Sequence, residues 1–173
     1  MKYLIVITLV LAVTFQTFSQ EKTTTPGTLV TTLYFIRHAE KDRSDPFEKN
    51  PHLIQKGLER ANNWSRILGA VKFDAIYSTD YHRTKETAQP LAGKNALVIK
   101  IYDPNALNNI DGFLKENKGK TILIVGHSNT TPEFVNAMIG HKKYQDIEDN
   151  NNGNLYIVTI IGSDVVDQML TIN

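Results

Sequence analysis

The sequence has no cysteine. That absence excludes disulfides, thiol nucleophiles, thiolate metal sites and an amino terminus lipidated on cysteine. With no disulfide available, the hydrophobic core must hold the fold by itself. Tryptophan occurs once, at Trp64, a position we read as core filler on the first helix. An excess of one charge sign is also missing: 19 Lys and Arg stand against 18 Asp and Glu. Such balance argues against a general nucleic-acid or membrane-surface binder. Internal repeats are absent, and the only compositionally biased stretch is the acidic, asparagine-rich one around Asp149 to Asn154.

One long apolar run is present, at the amino end. Met1-Lys2 is followed by Tyr3 to Phe15 and then by Gln16, Thr17, Phe18, Ser19 and Gln20. The run is shorter than the roughly 20 residues a membrane span needs. Positive start, apolar middle and small polar end are the order of a secretory signal peptide. Residues 1–20 are therefore expected to be a signal peptide, cut after Ser19 or Gln20. Residues 21–28 form a flexible leader, and residues 29–173 a single domain of roughly 150 residues. The expected location is outside the cytoplasm, periplasmic or extracellular according to the cell. Cleavage would leave no membrane attachment.

Periodicity divides the domain into alternating strands and helices. Residues 29–37 read as a strand, 38–52 as a polar loop, and Leu53 to Leu68 as a helix with an apolar stripe. Phe73 to Tyr77 is a second strand, Tyr81 to Leu91 a helix, Ala96 to Tyr102 a strand and Asn105 to Asn117 a helix. Thr121 to Val125 is a strand, Thr131 to Ile139 a helix with Pro132 in its first turn, and Leu155 to Ile161 and Val165 to Ile172 a closing hairpin. This order predicts an α/β fold in three layers. A mostly parallel sheet carries helices on both faces, with an antiparallel hairpin at its carboxyl-terminal edge.

Two of the apolar strands end in a histidine: Ile36-Arg37-His38 and Val125-Gly126-His127. In a parallel sheet both ends lie at the same edge, where α/β folds bind ligands. A third strand ends in Tyr77-Ser78, and Arg83 follows in the first turn of the next helix. Two arginines and two histidines thus converge with no carboxylate in these motifs. Such a pocket is unfavourable unless it holds an anion. A phosphoryl group fits, because arginine binds its oxygens in bidentate fashion and a neutral histidine can attack phosphorus.

The chain resembles the histidine phosphatase superfamily, the phosphoglycerate-mutase-like fold, and within it the small members that act on phosphohistidine. The matching pieces are Arg-His-Ala-Glu at 37–40, Leu-Ile-Gln-Lys-Gly-Leu-Glu-Arg-Ala at 53–61, Phe-Asp-Ala-Ile-Tyr-Ser-Thr-Asp-Tyr-His-Arg-Thr-Lys-Glu-Thr-Ala at 73–88, and Ile-Val-Gly-His-Ser at 124–128. The resemblance implies a metal-independent phosphatase without a cofactor, acting on a phosphorylated small molecule or phosphoprotein. It implies His38 as the nucleophile that becomes phosphohistidine, with Arg37 and Arg83 clamping the phosphoryl oxygens. His127 would stabilise the transferring charge. Ser128 and Asn129 are further candidate substrate contacts, and Glu40 a support. Family members often carry a glutamate, after the middle strand, that protonates the leaving group. Here that stretch is Tyr102 to Asn109, and Asp103 is the nearest carboxylate. General-acid help is worth about 10²–10⁴-fold, so its lack would favour good leaving groups such as phosphohistidine or an acid anhydride. A nucleophile that must be neutral also suggests activity falling below about pH 5.

Three rival readings come from the same residues. Gly126-His127-Ser128-Asn129-Thr130 approaches a serine-esterase elbow with Ser128 as nucleophile, but Thr130 replaces the last glycine and only His141 follows. A metal hydrolase would draw on the five histidines, none of which is paired at H-x-x-x-H spacing. Binding of a phosphorylated ligand without turnover is the third. His52, His82 and His141 read as solvated or packing residues, as do Arg43 and Lys49 in the loop after the first strand. Residues 146–154 read as a surface loop. The sequence does not specify oligomeric state.

Overall fold

The computed structural model describes residues 29–104 and 109–172. The expected signal peptide and leader, residues 1–28, lie outside the described residues. So does the stretch 105–108, with which the third helix was expected to begin.

The elements are β1 (Val30–Arg37), α1 (Gln55–Ile67), β2 (Ala75–Ser78), α2 (His82–Asn95), β3 (Ile99–Ile101), α3 (Ile110–Glu116), β4 (Thr121–Gly126), α4 (Thr130–Ile139), β5 (Asn154–Ile161) and β6 (Asp164–Thr171). Six strands form one sheet in the order β3-β2-β4-β1-β5-β6. β3, β2, β4 and β1 are mutually parallel, while β5 and β6 run antiparallel. Alternation within the central strands divides the core in two. Leu33, Phe35, Ile122 and Ile124 pack on one face with Phe134, Val135 and Met138 of α4 and Phe113 of α3. Ile36, Leu123 and Val125 pack on the other with Trp64 of α1 and Ala88, Leu91 and Ala92 of α2. The three-layer α/β arrangement with its antiparallel hairpin is the one expected from the sequence. Trp64 fills the core on α1. Among the described residues no helix is long and apolar enough to cross a membrane.

Several boundaries differ from the sequence reading. α2 runs past Pro90 to Asn95. An interior proline forfeits one helical bond and costs about 3 kcal/mol, and here full burial of Leu91 and Ala92 on the sheet offsets it. α1 starts at Gln55, two residues late, because Leu53 pairs with Lys41 in an isolated bridge and the Ile54 amide donates to the Glu40 carbonyl at 3.0 Å. β3 is only three residues long.

Gly57 explains how closely α1 meets the loop after β1. A Cβ at this position would stand 2.2 Å from the Glu40 carbonyl oxygen. Only glycine lets the helix approach that backbone. Glu40 is further tied to α1 by a bidentate pair with Arg60, at 2.9 and 3.0 Å.

Candidate active site

Arg37 at the end of β1 is in register with Gly126 at the end of β4, and the His38 amide donates to the Gly126 carbonyl at 2.9 Å. The two following residues, His38 and His127, therefore emerge side by side. Their ring centroids are 5.5 Å apart with planes inclined by 66°. β2 lies on the other side of β4, which brings α2 and Arg83 to the same edge. Arg83 Nη2 reaches His127 Nδ1 at 3.4 Å, and its guanidinium lies over the Tyr81 ring, 4.3 Å from the centroid. The sheet order thus assembles the four residues that the strand-end argument brought together.

They line a crevice of about 360 Å³ with Lys41, Tyr81, Pro104, Ser128, Asn129, Thr130 and Asp149. Ser128 and Asn129 are on its wall. Asp103 lines a neighbouring cavity with Asn109, Gly112 and Glu116, and it is Pro104 that reaches the crevice. The stretch where the family's leaving-group acid was sought falls partly on residues 105–108, outside the described residues.

Each histidine is held in one tautomer. His38 Nδ1 lies 2.7 Å from the Ala39 carbonyl oxygen. A carbonyl can only accept, so Nδ1 carries the proton and Nε2 keeps its lone pair. Thr79 Oγ1 donates to Thr84 Oγ1 at 3.0 Å and stands 2.9 Å from His127 Nε2. With its own proton so committed, Thr79 accepts from Nε2–H, and His127 Nδ1 is left to accept from Arg83. Burial pushes the His38 pKa down to about 3, with further lowering by Arg37, His127 and Arg83 against the opposing pull of the Ala39 carbonyl. Burial, then Arg83, Arg37 and Lys41, lowers His127 to about 4. Both rings are neutral at ordinary pH. Protonation of His38 is thus displaced below the pH 5 expected from sequence. The desolvated, cationic surroundings of His38 move protonation well below it.

Arg37 is fixed by a segment read from sequence as a plain surface loop. Arg37 Nη1 donates to the carbonyls of Glu148, Asp149 and Asn151 at 2.9, 3.1 and 2.9 Å. Its Nη2 meets Asp149 Oδ1 at 3.0 Å, and Arg43 meets the same oxygen at 2.7 Å. Asn152 is buried and donates to the His38 carbonyl at 2.8 Å. The loop arrives here because β5 pairs antiparallel with β1, which puts the start of β5 beside Arg37. On the other flank the Ala39 amide donates to Thr87 Oγ1 at 2.9 Å, fastening the His38 backbone to α2.

Sequence reasoning missed Thr79, Tyr81, Thr87, Asp149 and Asn152 as parts of this assembly. Thr79, Tyr81 and Thr87 stand inside the 73–88 motif and were available to it. The loop asparagines carried no signal beyond composition.

Arg37 Nε, Arg83 Nε and Arg83 Nη1 are buried and have no hydrogen-bond partner among the described residues. Buried donors of this kind call for an acceptor. Two guanidiniums carrying three such donors beside a neutral imidazole suit an anion.

Comparison with known proteins agrees with this geometry. The family model described as histidine phosphatase superfamily (branch 1) matches residues 33–111. No curated protein sequence matches the chain. Among solved structures, a mutant phosphoserine phosphatase from Entamoeba histolytica in complex with phosphoserine is 17% identical with a TM-score of 0.65, over 80% of this chain and 95% of that one. The protein histidine phosphatase SixA complexed with tungstate is 12% identical with a TM-score of 0.64, over 81% and 96%. A mycobacterial glucosyl-3-phosphoglycerate phosphatase is 14% identical with a TM-score of 0.63, over 82% and 98%. At these identities the structures share the fold.

Proposed function

We propose that the chain, whose residues 33–111 match the histidine phosphatase superfamily model, is a metal-independent phosphatase that works through a covalent phosphohistidine on His38. The observation that carries this reading is the set of unpartnered guanidinium donors next to a histidine whose Nε2 lone pair is free.

In the proposed reaction the phosphoryl oxygens take the spare donors of Arg37 and Arg83. His38 Nε2 attacks phosphorus, a P–N bond forms, and the bond from phosphorus to the leaving oxygen or nitrogen breaks. Charge growing on the equatorial oxygens meets the arginines and the His127 side of the crevice. A water then attacks the phosphohistidine, the P–N bond breaks, and the electron pair returns to Nε2 with release of inorganic phosphate.

Among the described residues, Asp149 is the one carboxylate on the crevice wall. Its contacts with Arg43 and Arg37 hold it below the ordinary carboxylate range despite the opposing effect of desolvation. It is ionised and has no proton to give a leaving group. This supports substrates whose leaving group departs without acid help, phosphohistidine and acid anhydrides before alkyl esters. Asp103 remains a candidate acid in this proposal, beside Pro104 at the crevice wall. The apolar amino-terminal run supports an exported protein, and hence a periplasmic or extracellular phosphorylated substrate.

The test is hydrolysis of an aryl phosphate in EDTA, wild type beside His38→Ala. Activity that survives the chelator and vanishes in the variant is the expected result. Activity that persists in the variant overturns the role of His38. Tight vanadate binding without turnover would favour a second reading, a phosphate-ligand receptor, which the ionised state of Asp149 makes worth keeping.

A further inference from the structure

The sequence shows no H-x-x-x-H pair, but α2 carries His82 and Glu86 at H-x-x-x-E spacing. Residues four apart on a helix share one face. The loop before α1 lays His52 against that face: its Nδ1 contacts Glu86 Oε1, and its ring stacks on His82 with centroids 4.0 Å apart and planes 19° apart. Donor atoms of the three side chains lie within 4.8 Å of one another.

Two imidazoles and a carboxylate from two separate segments are a donor set for a divalent transition metal. Nitrogen and oxygen ligands of this type suit zinc, with a water in the open position. Two imidazole nitrogens stand about 3.4 Å apart across a tetrahedral zinc at bond lengths near 2.1 Å. Ligation therefore asks the two rings to turn out of their stack so that one nitrogen of each meets the ion. Both are on partly exposed side chains free to do so: His52 is 65% exposed and His82 half-buried.

Two hydrogen bonds already orient these side chains and their loop. Glu86 Oε2 accepts from the Leu53 amide at 2.8 Å, which fixes the carboxylate and leaves Oε1 on the histidine side. The His82 amide donates to Asn50 Oδ1 at 2.8 Å, which pins the loop to the first turn of α2. Such outer contacts orient metal ligands and raise affinity. The adjoining cavity of about 340 Å³ is lined by Asp42, Asp45 and Glu48 as well as the two histidines. Three acidic side chains beside the donors favour a cation through their summed field. An exposed histidine–carboxylate pair alone contributes little to stability and does not account for a second imidazole laid flat upon it.

We propose that His52, His82 and Glu86 form a binding site for one divalent transition-metal ion of the zinc class, separate from the phosphoryl crevice. The ion would tie the loop that follows His38 to the helix whose first turn holds Arg83. This site plays no part in the phosphoryl transfer proposed above and stands or falls apart from it.

The test is calorimetric titration of the full chain with zinc chloride after removal of metal by EDTA and dialysis. Wild type is expected to bind one equivalent at this site. The His52→Ala/His82→Ala pair should lose that equivalent, and Glu86→Gln should weaken it at least tenfold. His141→Ala, far from the cluster in sequence, should leave it unchanged. Zinc should also raise the melting temperature of wild type and leave that of the double variant unmoved. Absence of zinc binding by wild type overturns the proposal. So does binding undiminished in both the double variant and Glu86→Gln, which would put the ion elsewhere, with His38 and His127 as the obvious pair.

Discussion

His38 donates from Nδ1 to the carbonyl oxygen of its neighbour Ala39 across 2.7 Å, and this one bond decides which ring nitrogen keeps its lone pair. The same environment holds the ring neutral. Its pKa is lowered to about 3 by burial first and by Arg37, His127 and Arg83 after that, and His127 follows to about 4. Histidine NMR titration reads this directly. The ring signals of His38 and His127, assigned with the His38→Ala and His127→Ala proteins, should stay flat from pH 8 to about pH 5. Titration of either near the ordinary histidine value of about 6.5 would show that the crevice does not keep them neutral.

The same shifts make stability depend on pH. Both groups have folded pKa values below the unfolded one, so the unfolded chain binds protons that the folded chain refuses. Stability contributed this way is fully present above about pH 6.5 and is lost as pH falls, down to about pH 4 for His127 and about pH 3 for His38. The limiting slope is about 1.36 kcal/mol per pH unit for each ring. Urea midpoints measured from pH 7 to pH 4 should fall steadily, and should fall less steeply in His38→Ala. An equal slope in the variant would remove His38 from the account.

Strand order made half of this site readable and hid the other half. Arg37, His38 and His127 follow from two apolar runs that end in the same way, because parallel neighbours must deliver their ends to one edge. Arg83 follows from its place one turn into the helix after a third such strand. The loop of residues 146–152 does not follow, although the hairpin that comes after it was recognised. Its place depends on β5 pairing with β1 rather than forming a remote edge, a long-range choice that no local pattern encodes. Asp149 and Asn152 then look like ordinary loop residues until the antiparallel start of β5 sets them against Arg37 and the His38 carbonyl. The His52–His82–Glu86 cluster was hidden for a related reason, since His52 and Glu86 are 34 residues apart and meet only when the loop folds onto α2.

Asp149 occupies the Arg37 donor that faces it and places a negative charge on the crevice wall. Arg37 does not need that carboxylate for its orientation, because three backbone carbonyls already hold Nη1. Asp149→Asn should therefore tighten vanadate or phosphate binding. An exposed charge contact is worth up to ~1 kcal/mol, so the gain should be about threefold to fivefold. It should shrink in high salt. Weaker binding in the variant would mean that the carboxylate, not the backbone, sets the guanidinium.

Thr79 is the only hydrogen-bond partner of His127 Nε2 among the described residues, and it is fully buried. Thr79→Val keeps the shape of the side chain and removes the acceptor. The ring must then either leave Nε2–H unsatisfied in the interior or flip its tautomer and surrender the Nδ1 lone pair that meets Arg83. Outer contacts of this kind commonly change activity by about 10–100-fold. The expected pattern is a fall in kcat of about tenfold with KM little changed, since the phosphoryl oxygens still have both arginines. Thr79→Ser restores the oxygen and should restore most of kcat, together with the His127 ring signals of the wild type. A merely structural role predicts a different pattern. Thr79→Val would then lower the melting temperature without moving those signals or separating kcat from KM, and Thr79 would not be a positioning residue.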